Sequence, residues 1–157
     1  LVLDEPTAAL DGETEAVVLR LLAELKAQGK TVLLITHRGT TMTAADRFLL
    51  VTGPGPAAVR DAARVGELLE LSGKQNVRLI VNRVDRGMLS TVRMTIDDVM
   101  DTAGLPLLGI VLEDPHVTLA AAFGQPLLKY SGRCEAARDF RRIAARLQGL
   151  YKPFPWR

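Results

Sequence analysis

Five short apolar runs, at residues 1–3, 32–35, 48–51, 77–81 and 107–111, alternate along this chain with longer segments of helical periodicity at 13–27, 56–71, 95–103 and 135–147. The runs are nearly continuous, Arg78 bringing the only polar side chain into one, where a half-exposed strand would alternate, as a strand covered on both faces requires. Strands joined by helix-length crossovers lie parallel. The alternation therefore predicts an α/β fold, a mostly parallel layered sheet of about five strands with helices on both faces. Gly29, Gly73 and Gly104 stand where three of the helices must stop, as left-handed caps. The cluster Gly53-Pro54-Gly55-Pro56 directly follows a strand and reads as a βα loop, with Pro56 in the first helical turn.

A length of 157 residues fits one domain with a sizeable core, and 48% hydrophobic residues with only 4% aromatics suits an aliphatic interior. A net charge of +2 is too small to point to nucleic acid as a partner. Cys134 is the only cysteine, so no internal disulfide can form, and a reducing cytoplasm is the expected compartment. No apolar run reaches membrane-spanning length, and no basic segment leads into a signal-type apolar core. Leu1 already lies inside a strand pattern, so the natural start is expected upstream.

The first run ends in two adjacent carboxylates, Leu1-Val2-Leu3-Asp4-Glu5, followed by Pro6-Thr7-Ala8-Ala9-Leu10-Asp11. Acids at the carboxyl end of a buried strand stand where open α/β sheets bind ligands. One carboxylate can hold Mg²⁺ through water and the next can orient or deprotonate an attacking water. A strand-end acid is also often only a helix cap. A second run, Thr31-Val32-Leu33-Leu34-Ile35-Thr36-His37, ends in a lone histidine. Residues 1 to about 50 resemble the Walker B, D-loop and H-loop stretch of ABC transporter ATPases. That resemblance implies Asp4 as metal ligand, Glu5 as catalytic base, Asp11 as a D-loop contact across an ATP-bound homodimer and His37 as γ-phosphate sensor. It also implies a transporter membrane subunit as partner.

From about Ala45 onward the chain is similar to the MinD family of septum-placing ATPases. The stretches that carry this are Gly53 to Val65, Arg78-Leu79-Ile80-Val81-Asn82-Arg83-Val84, Ile96-Asp97-Asp98-Val99-Met100, Gly104-Leu105-Pro106-Leu107-Leu108-Gly109-Ile110-Val111, Glu113-Asp114, Gly124-Gln125-Pro126 and Ile143 to Leu147. Asn82 ends a strand with a side-chain amide that both donates and accepts, the pairing an adenine edge requires. Read alone, Asn82 is better taken as a cap of the turn that follows. The resemblance implies that Asn82 with Arg83 contacts adenine and that Leu112, Glu113 and Asp114 line the same pocket. ATP and Mg²⁺ follow as cofactors and division-site regulators as partners. Leu112 stands where the family has proline, Gly55 where it has glutamate and Ala63 where it has aspartate.

Both families are P-loop NTPases, and residues 45–51 satisfy either pattern, so the expected organisation is an ABC-like segment 1–50 and a MinD-like segment 51–157 in one structural domain. The sequence contains no Gly-x-x-x-x-Gly-Lys-Ser/Thr. Gly29-Lys30-Thr31 imitates its end but leads into a strand, and cannot open a helix onto phosphates. The expected fold is thus a partial P-loop NTPase lacking the phosphate-loop strand, with a gap or improvised pairing near residues 32–35. Leu71-Ser72-Gly73-Lys74-Gln75 imitates the ABC signature but closes a helix. His116 is expected on a surface loop, and Cys134 without a neighbouring base. No His/Cys/carboxylate cluster is expected to hold a metal other than Mg²⁺ at Asp4. In the last helix Phe140, Ile143, Ala144, Leu147 and Leu150 form an apolar stripe expected to pack on the sheet. The two prolines of the tail that follows argue against a membrane anchor there.

Overall fold

In the computed structural model, which describes residues 1–42, 44–87 and 95–153, strand β1 (Val2–Asp4) pairs in parallel with β2 (Leu33–Ile35), Leu3 lying opposite Leu34. The crossover between them is helix α1 (Gly12–Ala27), whose N-cap is Asp11. A single turn, α2 (Gly39–Met42), follows β2. Residues Leu1–Asp46 form one compact unit and Arg47–Arg157 a second. Both strands of the first unit keep one residue partly covered between two exposed ones, and Val2, Leu33 and Ile35 are exposed. The covered interior of this unit is unusually polar: Thr7, Glu15 and Thr41 are buried together with Leu22.

The second unit is built on β4 (Val77–Val84). It pairs in parallel with β3 (Phe48–Thr52) on one side and β5 (Leu107–Leu112) on the other. Helix α3 (Pro56–Leu71) connects β3 to β4, and α4 (Ile96–Ala103) precedes β5. Period-two alternation sends successive β4 side chains to opposite faces. Leu79, Val81 and Val84 pack with Val59 and Ala62 of α3 and with Val99 of α4. Ile80 faces the other way, toward Leu108, Val111, Ala136 and Ile143. After β5 come α5 (Pro115–Ala122), α6 (Leu127–Tyr130) and α7 (Glu135–Leu147). Helices thus cover both faces of the three-stranded sheet.

All five expected strands are present and every pairing is parallel, with ladders joining β1 to β2 and β3 through β4 to β5. Among the described residues β1 and β2 form one sheet and β3, β4 and β5 another, each lying within its own unit. Helices α3 and α7 occupy the expected spans, because Gly55-Pro56 opens the one with proline at its first turn and Cys134 stands extended before the other. Gly29, Gly73 and Gly104 have φ of 74°, 76° and 63° and end their helices as expected. Residues 154–157 of the proline-bearing tail lie outside the described residues.

Two expectations are corrected. His116 is not on a loop: Asp114 caps α5 through His116 N, Pro115 opens the helix, and His116 sits in its first turn. The apolar stripe of α7 is covered only in part. Ile143 is buried, but Phe140, Leu147 and Leu150 are exposed, while Ala136, Ala137 and Asp139 are buried instead. The helix docks through polar side chains as well as apolar ones. Asp139 Oδ2 accepts from Leu112 N at 3.2 Å, and Arg146 donates to Leu108 O at 2.7 Å. Both partners lie on β5, the outer strand of its ladder, whose free edge groups α7 thereby satisfies.

Gly109 on β5 makes this docking possible, because a Cβ there would collide with Cγ1 and Cδ1 of the buried Ile143. Gly109→Ala is therefore expected to lower unfolding free energy by about 1–3 kcal/mol, as overpacking of a filled interior does. Chemical denaturation of the variant beside the parent measures it.

Candidate functional site

In the first unit Glu5 and the histidine stand together at the ends of β1 and β2. Asp4 is the last residue of β1, and Glu5 N donates to Ile35 O at 2.9 Å, extending the ladder by one bond. Glu5 has φ 46°, a left-handed conformation for a residue with a Cβ, and such strain costs on the order of 1–3 kcal/mol. The turn aims its carboxylate at the end of β2, where Oε1 lies 2.7 Å from His37 Nδ1. Oε2 is buried without a hydrogen-bond partner. Asp4 is exposed, and its side chain makes no hydrogen bond or ion pair among the described residues. This donor set fits hydrated Mg²⁺ on Asp4 and a water on the orphaned Glu5 oxygen. Asp11 is engaged locally: Oδ1 accepts from Thr14 N at 2.8 Å, and that backbone bond holds its carboxyl below the ordinary value.

The loops on which Glu5 and His37 sit are pinned from beneath by Glu15. Its Oε1 accepts from Thr40 at 2.8 Å and from Thr41 at 3.0 Å, and Thr41 bonds Thr7 at 3.1 Å. Arg38 lies 3.6 Å from Glu15 Oε2 and donates to Thr7 O. Sequence reading passed over Glu15 because an acid in the first turn of a helix is ordinarily a solvated complement to the dipole. Its burial arises from hydroxyls 25 and 26 residues away.

In the second unit the carboxyl ends of β4 and β5 bring together the residues implied for a base pocket. Glu113 N donates to Val84 O at 3.0 Å, joining the two strand ends. Arg83 has φ 57° and pairs with Glu113 at 3.2 Å. Asn82 Oδ1 accepts from Arg83 N at 3.0 Å, so the capping role is real, while its Nδ2 has no partner among the described residues. A carbonyl oxygen has a second lone pair, so the amide can still both donate and accept. Beside these residues lies a cleft of about 330 Å³ lined by Val84, Asp85, Arg86, Leu112, Glu113 and Glu135. Asn82 is not on its wall. The volume is at the lower end of small-molecule sites and suits a base more than a triphosphate.

Asp114 stands just behind this cleft with its side chain 7% exposed. Oδ1 accepts from His116 N at 3.0 Å and lies 2.7 Å from His116 Nδ1, and Oδ2 accepts from Ala136 N at 3.1 Å. Burial works to raise its pKa, but bonds from the His116 backbone and ring, from Ala136 N and from the Cys134 thiol together hold it far below the carboxylate range. The expectation that Cys134 has no base beside it, and that no His/Cys/carboxylate cluster exists apart from Asp4, is corrected: Asp114, His116 and Cys134 converge. Cys134 lies 18 positions after His116, and the bond from Ala136 N to Asp114 Oδ2 holds the start of α7 at the start of α5.

No protein-family model matches the chain. The fold does have solved counterparts. MinD in the MinC:MinD cell division protein complex of Aquifex aeolicus superimposes with a TM-score of 0.79 at 27% identity, over 87% of this chain and 59% of that one. The septum site-determining protein MinD from Pyrococcus horikoshii, complexed with Mg-ADP, gives 0.68 at 25% identity over 88% and 60%. The α/β arrangement of parallel strands and helices is thus that of MinD-type P-loop NTPases. More particularly, most of the chain is MinD-like in sequence as well: it is 42% identical over 110 residues to the sequence named septum site-determining protein MinD in Nephroselmis olivacea, 69% of this chain and 40% of that relative. The chain therefore spans about two fifths of that relative and about three fifths of the solved structures. None of these three is an ABC transporter subunit, and the structural matches cover more of the chain than its second unit alone. No described helix is long and apolar enough to cross a membrane.

The Glu15 network gives a pH dependence. The Thr40 hydroxyl chiefly, against the opposing effect of burial, and then Thr41, Arg38 and Thr7, hold its carboxyl below its ordinary value of 4.5. A depressed folded-state pKa contributes stability that is present above the ordinary value and lost as pH falls through and below it. Glu15→Gln is therefore expected to be less stable than the parent at neutral pH and to lose less on acidification. Urea unfolding between neutral and acid pH checks both directions.

Proposed function

We propose that this chain is the base-reading portion of a MinD-type ATPase that acts in division septum placement, with ATP and Mg²⁺ as its cofactors. The observation that carries the reading is the convergence of Asn82, Arg83, Leu112, Glu113 and Asp114 at the carboxyl ends of β4 and β5, on a MinD-like fold. Asn82 donates from its free Nδ2 to a ring nitrogen of adenine and accepts from the exocyclic amine on Oδ1. The adjoining cleft, with Val84, Leu112 and Glu113 in its wall, would take the part of the nucleotide that lies beyond Asn82, and Glu113 is paired with Arg83 at 3.2 Å. A MinC-class division regulator is the matching partner, an ATP-bound homodimer the matching assembly, and the cytoplasm the matching compartment.

A second reading concerns the first unit and rests on the 2.7 Å contact of Glu5 with His37. In it, residues 1 to about 50 supply ABC-type hydrolytic groups: Asp4 for the metal, Glu5 to take the proton from the attacking water, His37 to hold Glu5 and meet the terminal phosphate, Asp11 to face a second copy. The seam between the two readings falls at residues 45–51. This sequence holds no phosphate cradle, so neither reading gives it turnover by itself.

Calorimetry with Mg²⁺–ATP and Mg²⁺–GTP, run beside an ATPase assay, tests both. Expected are weak binding of ATP preferred over GTP, a loss of about tenfold in Asn82→Ala, worth the ~1.4 kcal/mol of one polar contact, and no hydrolysis. Equal binding of the two nucleotides contradicts the base-reading proposal. Mg²⁺-dependent turnover that disappears in Glu5→Gln contradicts the inactivity and favours the second reading.

A further inference from the structure

One cluster of chemically active side chains shares Asp114 with the reading above and adds two side chains, His116 and Cys134, that the reading does not use. Asp114, His116 and Cys134 each present a ligand atom, and these atoms lie within 4.8 Å of one another. They come from three different positions in the fold: the N-cap of α5, the first turn of α5, and the N-cap of α7. We propose that they form a site for a zinc-class divalent cation, which clips the start of α5 to the start of α7 directly behind the cleft.

The carboxylate of Asp114 shows how the cation fits. Of the bonds it accepts, those from His116 N and Ala136 N are backbone bonds that fix its plane. The others come from side-chain protons, at His116 Nδ1 and at the Cys134 thiol. A metal ion replaces these two protons and leaves the backbone bonds in place as the supporting shell that ligand carboxylates require. Zinc bonds of about 2.0–2.3 Å put tetrahedral ligand atoms about 3.5 Å apart, so the present spread closes by small side-chain rotations. Thiolate with imidazole and one carboxylate selects zinc over magnesium, which takes oxygen ligands. The His116 side chain is 47% exposed, so water reaches the cluster and completes the coordination.

The step balances simply. The dication binds Cys134 sulfur as its thiol proton leaves to solvent, and the neutral imidazole moves its proton from Nδ1 to Nε2 and binds through Nδ1. Uptake releases one proton, so affinity rises with pH. Glu113 and Glu135, which line the cleft, are the immediate neighbours of Asp114 and Cys134, so the clip fixes the cleft wall from behind. The site shares Asp114 with the nucleotide reading, but its test needs no nucleotide and reads only the metal.

Cobalt(II) titration of the purified, untagged chain tests it. Cys134 is the only cysteine, so a thiolate-to-cobalt charge-transfer band can arise nowhere else in the molecule. Expected are that band together with the visible bands of four-coordinate cobalt, saturating at one ion per chain and bleached by zinc. Cys134→Ser abolishes the charge-transfer band, His116→Ala weakens binding at least ~10-fold, and zinc raises the thermal midpoint of the parent but not of Cys134→Ser. Far-UV circular dichroism establishes that both variants are folded, and the parent spectrum decides even where a variant is not. Absence of a thiolate band at saturating cobalt overturns the proposal. So does saturation at half an ion per chain, which places the cysteines of two chains on one metal, or binding unchanged in His116→Ala.

Discussion

The Asp114 carboxylate is the interaction on which the second unit's functional end depends. It caps α5 through His116 N, holds the first turn of α7 through Ala136 N, and follows directly on the last residue of β5 and the cleft residue Glu113. One anion thus satisfies the exposed amides of two helix starts, where the dipoles favour negative charge. Losing such a cap costs on the order of 1–2 kcal/mol per helix end, and here it would also free the backbone that positions the cleft. The depressed pKa of this buried group follows from the same bonds.

The first unit solves a similar problem with hydroxyls. Glu5 holds a left-handed backbone that its own side chain does not favour, and strain of that kind persists only where the surroundings over-determine it. The surroundings are the Ile35 ladder bond on one side and, beneath, the Thr7, Thr41 and Glu15 bonds that fix the following loop. A buried network of this sort is costly when incomplete, and here Thr40 and Thr41 both bond Glu15 while Thr41 also bonds Thr7. The Glu5–His37 contact is consequently a property of the loop scaffold, not of two flexible side chains meeting by chance.

Much of this was legible in the sequence, for identifiable reasons. Strand positions followed from short, mostly apolar runs, and α3 was bounded on both sides by Gly55-Pro56 and Gly73. Helix α5 escaped because its alanines and exposed apolar residues form no stripe; Asp114-Pro115 was nonetheless a cap-and-first-turn signal that could have found it. The face of α7 was misjudged because periodicity weighs only apolar residues, whereas Asp139 and Arg146 turn inward to meet the free edge of β5. The pairing of His116 with Cys134, and the burial of Glu15, depend on contacts between distant segments, to which local pattern is blind. Of the residues named from strand-end position and family pattern, the structure pairs Glu5 with His37 and Arg83 with Glu113, and leaves the Asp4 side chain without a partner among the described residues.

The central claim is that the carboxyl ends of β4 and β5 read an adenine base. Amide chemical-shift mapping with adenosine and with guanosine, nucleosides that lack phosphate and so need no phosphate loop, tests it most directly. The account predicts adenosine shifts concentrated at Asn82, Arg83, Val84 and Glu113, with guanosine producing little change at the same concentration. Shifts of equal size from both nucleosides, or adenosine shifts located elsewhere, would contradict it.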